Sequence, residues 1–131
     1  MAKGFGQPPA VPTRNAAKFL QAFGTCYAKA KGDKQQIQQF LKAHVAKLNE
    51  ALLAALPMLL PKLVADGKLG DKENVASLFV GFGSSLLSFP LGDRALNLEL
   101  SIAAYQSALK VFTQDAFPEK WAMTQNNLGN A

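Results

Sequence analysis

Apolar residues recur at three- and four-residue steps along most of the chain, the period of a helix that buries one face. The clearest run is Ile37, Phe40, Leu41, His44, Val45, Leu48, Leu52, Ala55 and Leu56. Gln35, Gln38, Lys42, Lys47 and Glu50 lie off that stripe. An earlier helix is expected from Thr13 or Asn15 to Gly32, with Phe19, Leu20, Phe23, Cys26, Tyr27 and Ala30 on one face. Asp33 then caps the long second helix. Pro57 is expected to break or kink it, because the proline ring clashes with the preceding turn and its nitrogen cannot donate. Pro61 can open a short third helix through Leu63 and Val64.

Asp66 to Gly70 reads as a turn. Asp71 caps a fourth helix carrying Val75, Leu78, Phe79, Phe82, Leu86 and Phe89, which Pro90 and Gly92 stop. Asp93 starts a fifth, with Leu98, Ile102, Tyr105, Leu109 and Phe112 on its inner face. Pro118 opens a sixth, along which Trp121, Gln125 and Leu128 step. The pattern therefore predicts six helices and no strand. Residues 1–12, with Gly4, Gly6, Pro8, Pro9 and Pro12, carry no apolar face and are expected to be a flexible lead-in.

Composition agrees with helix: Ala, Leu, Lys and Gln are abundant, and Val, Ile and Thr are few. The length fits one domain with a sizeable core. No apolar signal segment follows Met1, and a single cysteine, Cys26, cannot form an internal disulfide. Both point to a reducing, cytoplasmic setting. The net charge of +5 is uneven. Residues 1–75 hold 11 Lys/Arg and 5 Asp/Glu, whereas residues 76–131 hold 3 and 4.

Candidate chemistry is sparse. Cys26 and His44 are the one thiol–imidazole combination available, and both fall on apolar helical faces, where a packed thiol and imidazole are expected. One Cys and one His cannot build a structural zinc site. Gly81-Phe82-Gly83-Ser84-Ser85 lacks the Lys-Ser/Thr ending of a phosphate loop and lies inside a helical period, so these are expected to be packing glycines. Ala51 to Ala65 is apolar apart from Lys62 but too short to span a bilayer, which needs about 20 residues. A buried helix is expected there. Lys29, Lys31 and Lys34 read as a solvated turn, since aromatic residues for base stacking are not interleaved with them.

One phrase is written twice. Phe79, Phe82, Gly83 and Leu86 fall on the W, L, G and Y slots of the helix-turn-helix signature W-x2-L-G-x2-Y. Gln125, Leu128 and Gly129 fall on the first three slots again, and Ser101, Tyr105 and Ala108 take the second-helix slots between them. The chain resembles tetratricopeptide repeats of the long kind, as in the kinesin light chain and in large cyanobacterial multi-repeat proteins. The resemblance is carried by Ala103 to Leu109, Ala116-Phe117-Pro118 and Trp121 to Ala131, and covers about residues 75–131. The spacing of 46 residues between Gly83 and Gly129 exceeds the usual repeat of about 34. The first copy also lacks the Trp and the Tyr, as an end-cap would.

The resemblance implies an all-α fold: antiparallel helical hairpins at the start of a right-handed tetratricopeptide-type α-solenoid. Residues 13–70 would form an amino-terminal helical cap and 71–117 a repeat hairpin. Residues 118–131 would be the first helix of a second, truncated repeat, whose uncapped side would self-associate or dock the rest of a longer scaffold. It implies a non-catalytic protein–protein interaction module with no cofactor, metal, nucleic acid or membrane partner. Some relatives carry a caspase-like protease domain, and none of that catalytic sequence is present here. Asn126 and Asn130 fall where this family lines its peptide groove, and an Asn amide can both donate to and accept from a peptide backbone. The matching slots in the first copy are Val80 and Ser84. The alternative function, from another class, is a small basic helical protein binding a membrane surface or nucleic acid through its amino-terminal half.

Overall fold

Three aspartates set the frame of the helices. Asp33, Asp71 and Asp93 each sit in extended backbone and accept amide hydrogens of the turn they precede: Gln35 and Gln36, Asn74, and Leu96 respectively. They open α2 (Lys34–Ala43), α4 (Lys72–Leu87) and α5 (Arg94–Leu109). The computed structural model describes residues 10–131, and the amino-terminal nine residues of the expected lead-in lie outside it. Residues 10–12, expected in the lead-in, belong instead to α1 (Ala10–Ala30). A proline at position 12 lies within its first turn, where helical amides need no partner. α3 (Glu50–Asp66) and α6 (Pro118–Asn130) complete the set, and the described residues are all-α, with no strand.

The second and third helices are divided differently from the sequence expectation. α2 ends at Ala43, not at Pro57. His44 leaves helical geometry at φ −119°, ψ 25°, and its ring lies on Phe40 at 4.1 Å between centroids while Nδ1 meets the Phe40 carbonyl at 2.8 Å. A 3-10 turn, Val45–Lys47, follows. Asn49 then caps α3 by accepting the Leu52 amide at 2.9 Å and donating to the Ala46 carbonyl at 3.0 Å. α3 runs on through Pro57 and Pro61. The two prolines are four residues apart and exposed, so they share the outer face. The carbonyls they leave without an amide donor, those of Leu53 and Pro57, belong to the turns beneath that face, where water can reach them. The opposite face buries Leu52, Ala55, Leu56, Leu59, Leu60 and Leu63. Gly67, at φ 81°, ends the helix by donating to the Leu63 carbonyl.

α4 follows its expected face, with Val75, Leu78, Phe79, Phe82 and Leu86 all buried. α5 does not. Leu98, Ile102 and Leu109 are only half-buried, and the buried column is Asn97, Leu100, Ser101, Ala104, Tyr105, Ser107 and Ala108. The reason is that α5 packs against α3, α4 and α6, and its closest neighbour, α4, approaches over small residues. Small side chains carry little hydropathy signal but allow close backbone approach. On α6 the expected Gln125 is exposed, Trp121 and Leu128 are half-buried, and the innermost residue is Thr124, whose Oγ1 donates to the Lys120 carbonyl.

The core joins these faces. Phe23 of α1 meets Phe82 of α4 edge-on at 5.1 Å, and Phe19 and Phe40 extend the cluster. Leu20, Leu41, Leu56, Leu59, Leu86 and Leu100 fill the space around it.

Candidate functional site

The α4–α5 hairpin is organised around Gly83. A Cβ there would sit 2.9 Å from Tyr105 Cε1 and 3.2 Å from the Ser101 carbonyl oxygen. Ser101 Oγ donates to the Gly83 carbonyl at 2.8 Å, and the Tyr105 hydroxyl shares a 3.0 Å hydrogen bond with Ser84 Oγ. Phe79, Phe82, Leu86, Tyr105 and Ala108 are all buried within this hairpin or beneath it. The second copy of the phrase sits differently. Leu128 is half-buried, and Gly129 is exposed, with open space for 4 Å around the place a Cβ would take.

Of the slots expected to line a peptide groove, Asn126 and Asn130 are both exposed on α6. Their counterparts on α4 differ: Val80 is buried, and Ser84 is exposed but tied to Tyr105. Lys120 of α6 bonds Glu73 of α4 at 2.8 Å, a link between two partly exposed side chains in the first turns of the helices. Sequence reasoning misses this ion pair, since nothing local marks a partner so distant in the chain.

Gly81 is a packing glycine as expected, but its partner could not be read from the sequence. The phenol end of Tyr27 lies over it, so that a Cβ at Gly81 would fall inside the ring's contact distance at Cζ, Oη and Cε1. The periodicity of α1 places Tyr27 on the buried face, yet it is 36% exposed. Its ring stacks on Phe23 at 5.7 Å and leans across α4. A furrow runs along α4 on either side of this ring. The half towards Asn74, Ser77 and Leu78 encloses about 550 Å³, with Lys29 and Lys68 at its edge. The half towards Ser84, Ser85 and Ser88 encloses about 610 Å³, with Lys34 and Gln38 at its edge. Gln38 closes the floor there by donating to the Ser85 carbonyl at 3.2 Å.

Cys26 and His44 are not assembled into a nucleophilic pair. Cys26 is half-buried with Sγ 4.0 Å from the Gln36 carbonyl, at the first turn of α2. His44 lies at the far end of α2, between Phe40 and Phe19. Phe19 and Cys26 are seven residues apart on α1, or about 10 Å along the axis. Among the described residues no group of three His, Cys, Asp or Glu side chains is placed to hold a metal ion. No described helix is long and apolar enough to cross a membrane. The chain matches no family model, no curated protein and no solved structure at a significant level.

Proposed function

We propose that this chain is a non-catalytic helical interaction module, built as the amino-terminal cap and first hairpin of a right-handed tetratricopeptide-type solenoid. The observation that carries the reading is the close approach at Gly83, where the signature glycine lies against Tyr105 and the Ser101 backbone on the second helix of its hairpin. The packing of α6 on α5, the second helix of the preceding hairpin, with the Glu73–Lys120 link from α6 to α4, is in keeping with it, because each repeat packs on the one before. Asn126 and Asn130, exposed on α6, are the candidate peptide contacts. A single half-buried thiol suits a cytoplasmic module.

The test is selection of ligands from a random peptide display library, followed by side-chain amide chemical-shift mapping. Selected peptides should shift the Asn126 and Asn130 side-chain signals, and Asn126→Ala/Asn130→Ala should weaken binding about tenfold or more. Failure to select any peptide, together with salt-sensitive binding to oligonucleotides or anionic vesicles, would support the basic nucleic-acid or membrane-surface protein instead.

A further inference from the structure

We infer that the furrow along α4, divided by Tyr27, is a docking surface for an acidic peptide segment in extended conformation. This deepens the interaction-module reading by naming a partner class, and it uses elements other than the one carrying Asn126 and Asn130. Three features converge on that chemistry.

The first is length. From Asn74 to Pro90 the furrow follows α4 and the residues just after it, a path of about 24 Å at the helical rise. About seven extended residues cover that distance. The second is charge. Lys29, Lys34 and Lys68 rim the furrow and no acidic side chain lines it. The sole ion pair among the described residues is Lys120–Glu73, so these three ammonium groups have no carboxylate partner. The nearest acids are otherwise engaged. Asp33 and Asp71 cap helices, and Asp66 accepts from Gln21 Nε2 at 2.8 Å and from the Lys68 amide at 3.3 Å.

The third is the floor. Asn74 and Ser77 present short groups that both donate and accept, while Ser88, whose hydroxyl donates to the Ser85 carbonyl, and Ser84, which shares a hydrogen bond with Tyr105, keep acceptor capacity; together these suit the alternating donors and acceptors of a peptide backbone. Tyr27 stands across the middle as a partly exposed aromatic anchor, the residue type that dominates binding energy at interfaces. Single-stranded nucleic acid fits less well. Base stacking needs open aromatic faces, and one face of this ring is already stacked on Phe23.

The test uses the full chain and a fluorescein-labelled decapeptide of alternating Glu and Ser, followed by fluorescence anisotropy. Saturable binding is expected, weakening as salt rises. Lys29→Gln/Lys34→Gln/Lys68→Gln should weaken it about tenfold, while the charge-matched control Lys42→Gln/Lys47→Gln/Lys62→Gln changes it less than about threefold. Tyr27→Ala and Gly81→Ala should each weaken it with circular dichroism unchanged. Asn126→Ala/Asn130→Ala should leave it intact, which separates this site from the one on α6. The inference is overturned by absence of saturable binding, by equal loss in both lysine triples, or by loss in the Asn variant. Tighter binding of oligothymidine or anionic vesicles through the same three lysines would overturn it as well.

Discussion

Gly81 and Gly83 lie two residues apart on one helix, both buried, yet replacing each with alanine should have unequal consequences. Alanine in place of glycine within a helix gains about 1 kcal/mol of backbone preference. What the new methyl group meets decides the net sign. At Gly83 it meets the Tyr105 ring at 2.9 and 3.0 Å and the Ser101 carbonyl oxygen at 3.2 Å. Tyr105 is fully buried and held by its bond to Ser84, and the carbonyl belongs to the α5 backbone, so neither yields without separating the two helices. Overpacking of this kind costs about 1–3 kcal/mol. At Gly81 the atoms nearest the methyl group all belong to the tip of Tyr27, which is partly exposed and can rotate away. Gly83→Ala should therefore destabilise by up to about 2 kcal/mol after the helix gain is subtracted, and Gly83→Leu by more. Gly81→Ala should fall within about 0.5 kcal/mol of the parent or stabilise it. Urea unfolding followed by far-ultraviolet circular dichroism gives the comparison, with an unchanged slope as the check that one transition is being measured. Equal midpoints for Gly81→Ala and Gly83→Ala would refute the reasoning, because the difference rests entirely on which neighbour can move.

Other substitutions probe features that local sequence does not decide. Pro57→Ala restores an amide to the Leu53 carbonyl and should stabilise by about 1–3 kcal/mol, seen as a higher melting temperature; a lower one would mean that the outer face of α3 needs its proline. Asn49→Ala removes the α3 cap and should cost about 1 kcal/mol in denaturant unfolding, against no change if the helix start is fixed by packing alone. Cys26→Ser should change the free energy of unfolding in urea by less than about 1 kcal/mol, since the thiol is half-buried and near a carbonyl that a hydroxyl can reach. A double-mutant cycle on Glu73→Gln and Lys120→Met should return a coupling below about 1 kcal/mol, falling with added salt, because both side chains are over 40% exposed.

The sequence spoke most clearly where structure is local. Each aspartate cap needs only its own turn, and the glycine and proline punctuation near residues 32, 67 and 90 acts on the nearest backbone, so these boundaries were legible. The face of α4 was legible too, because its apolar residues are large and regularly spaced. The end of α2 was not. His44 stops the helix through a ring stacked on Phe40 and a cap at Asn49, and the intact apolar period across this region conceals both. α5 misled for the opposite reason: its close approach at Gly83 is made by Tyr105 and the Ser101 backbone, and much of its buried column is small, with Ser101, Ala104 and Ala108, which a hydropathy stripe passes over. The furrow could not be read at all, since Tyr27 and Gly81 come together only through the packing of α1 on α4.

Trp121 is the chain's single tryptophan, and it stands near the start of the last helix. α6 reaches the rest of the bundle chiefly through α5 and the partly exposed Lys120–Glu73 pair. Indole emission follows the polarity around one ring, so in this protein it witnesses the docking of a single helix. Circular dichroism, by contrast, sums the backbone of all of them. Elements with few buried neighbours open at lower free energy than the core. The two optical signals therefore look at different events. An emission change that precedes the loss of helix marks α6 leaving a bundle that is otherwise folded, whereas coincident curves mark one cooperative unit. The placement of one indole thus lets the last helix be weighed separately from the body of the bundle, without altering a residue.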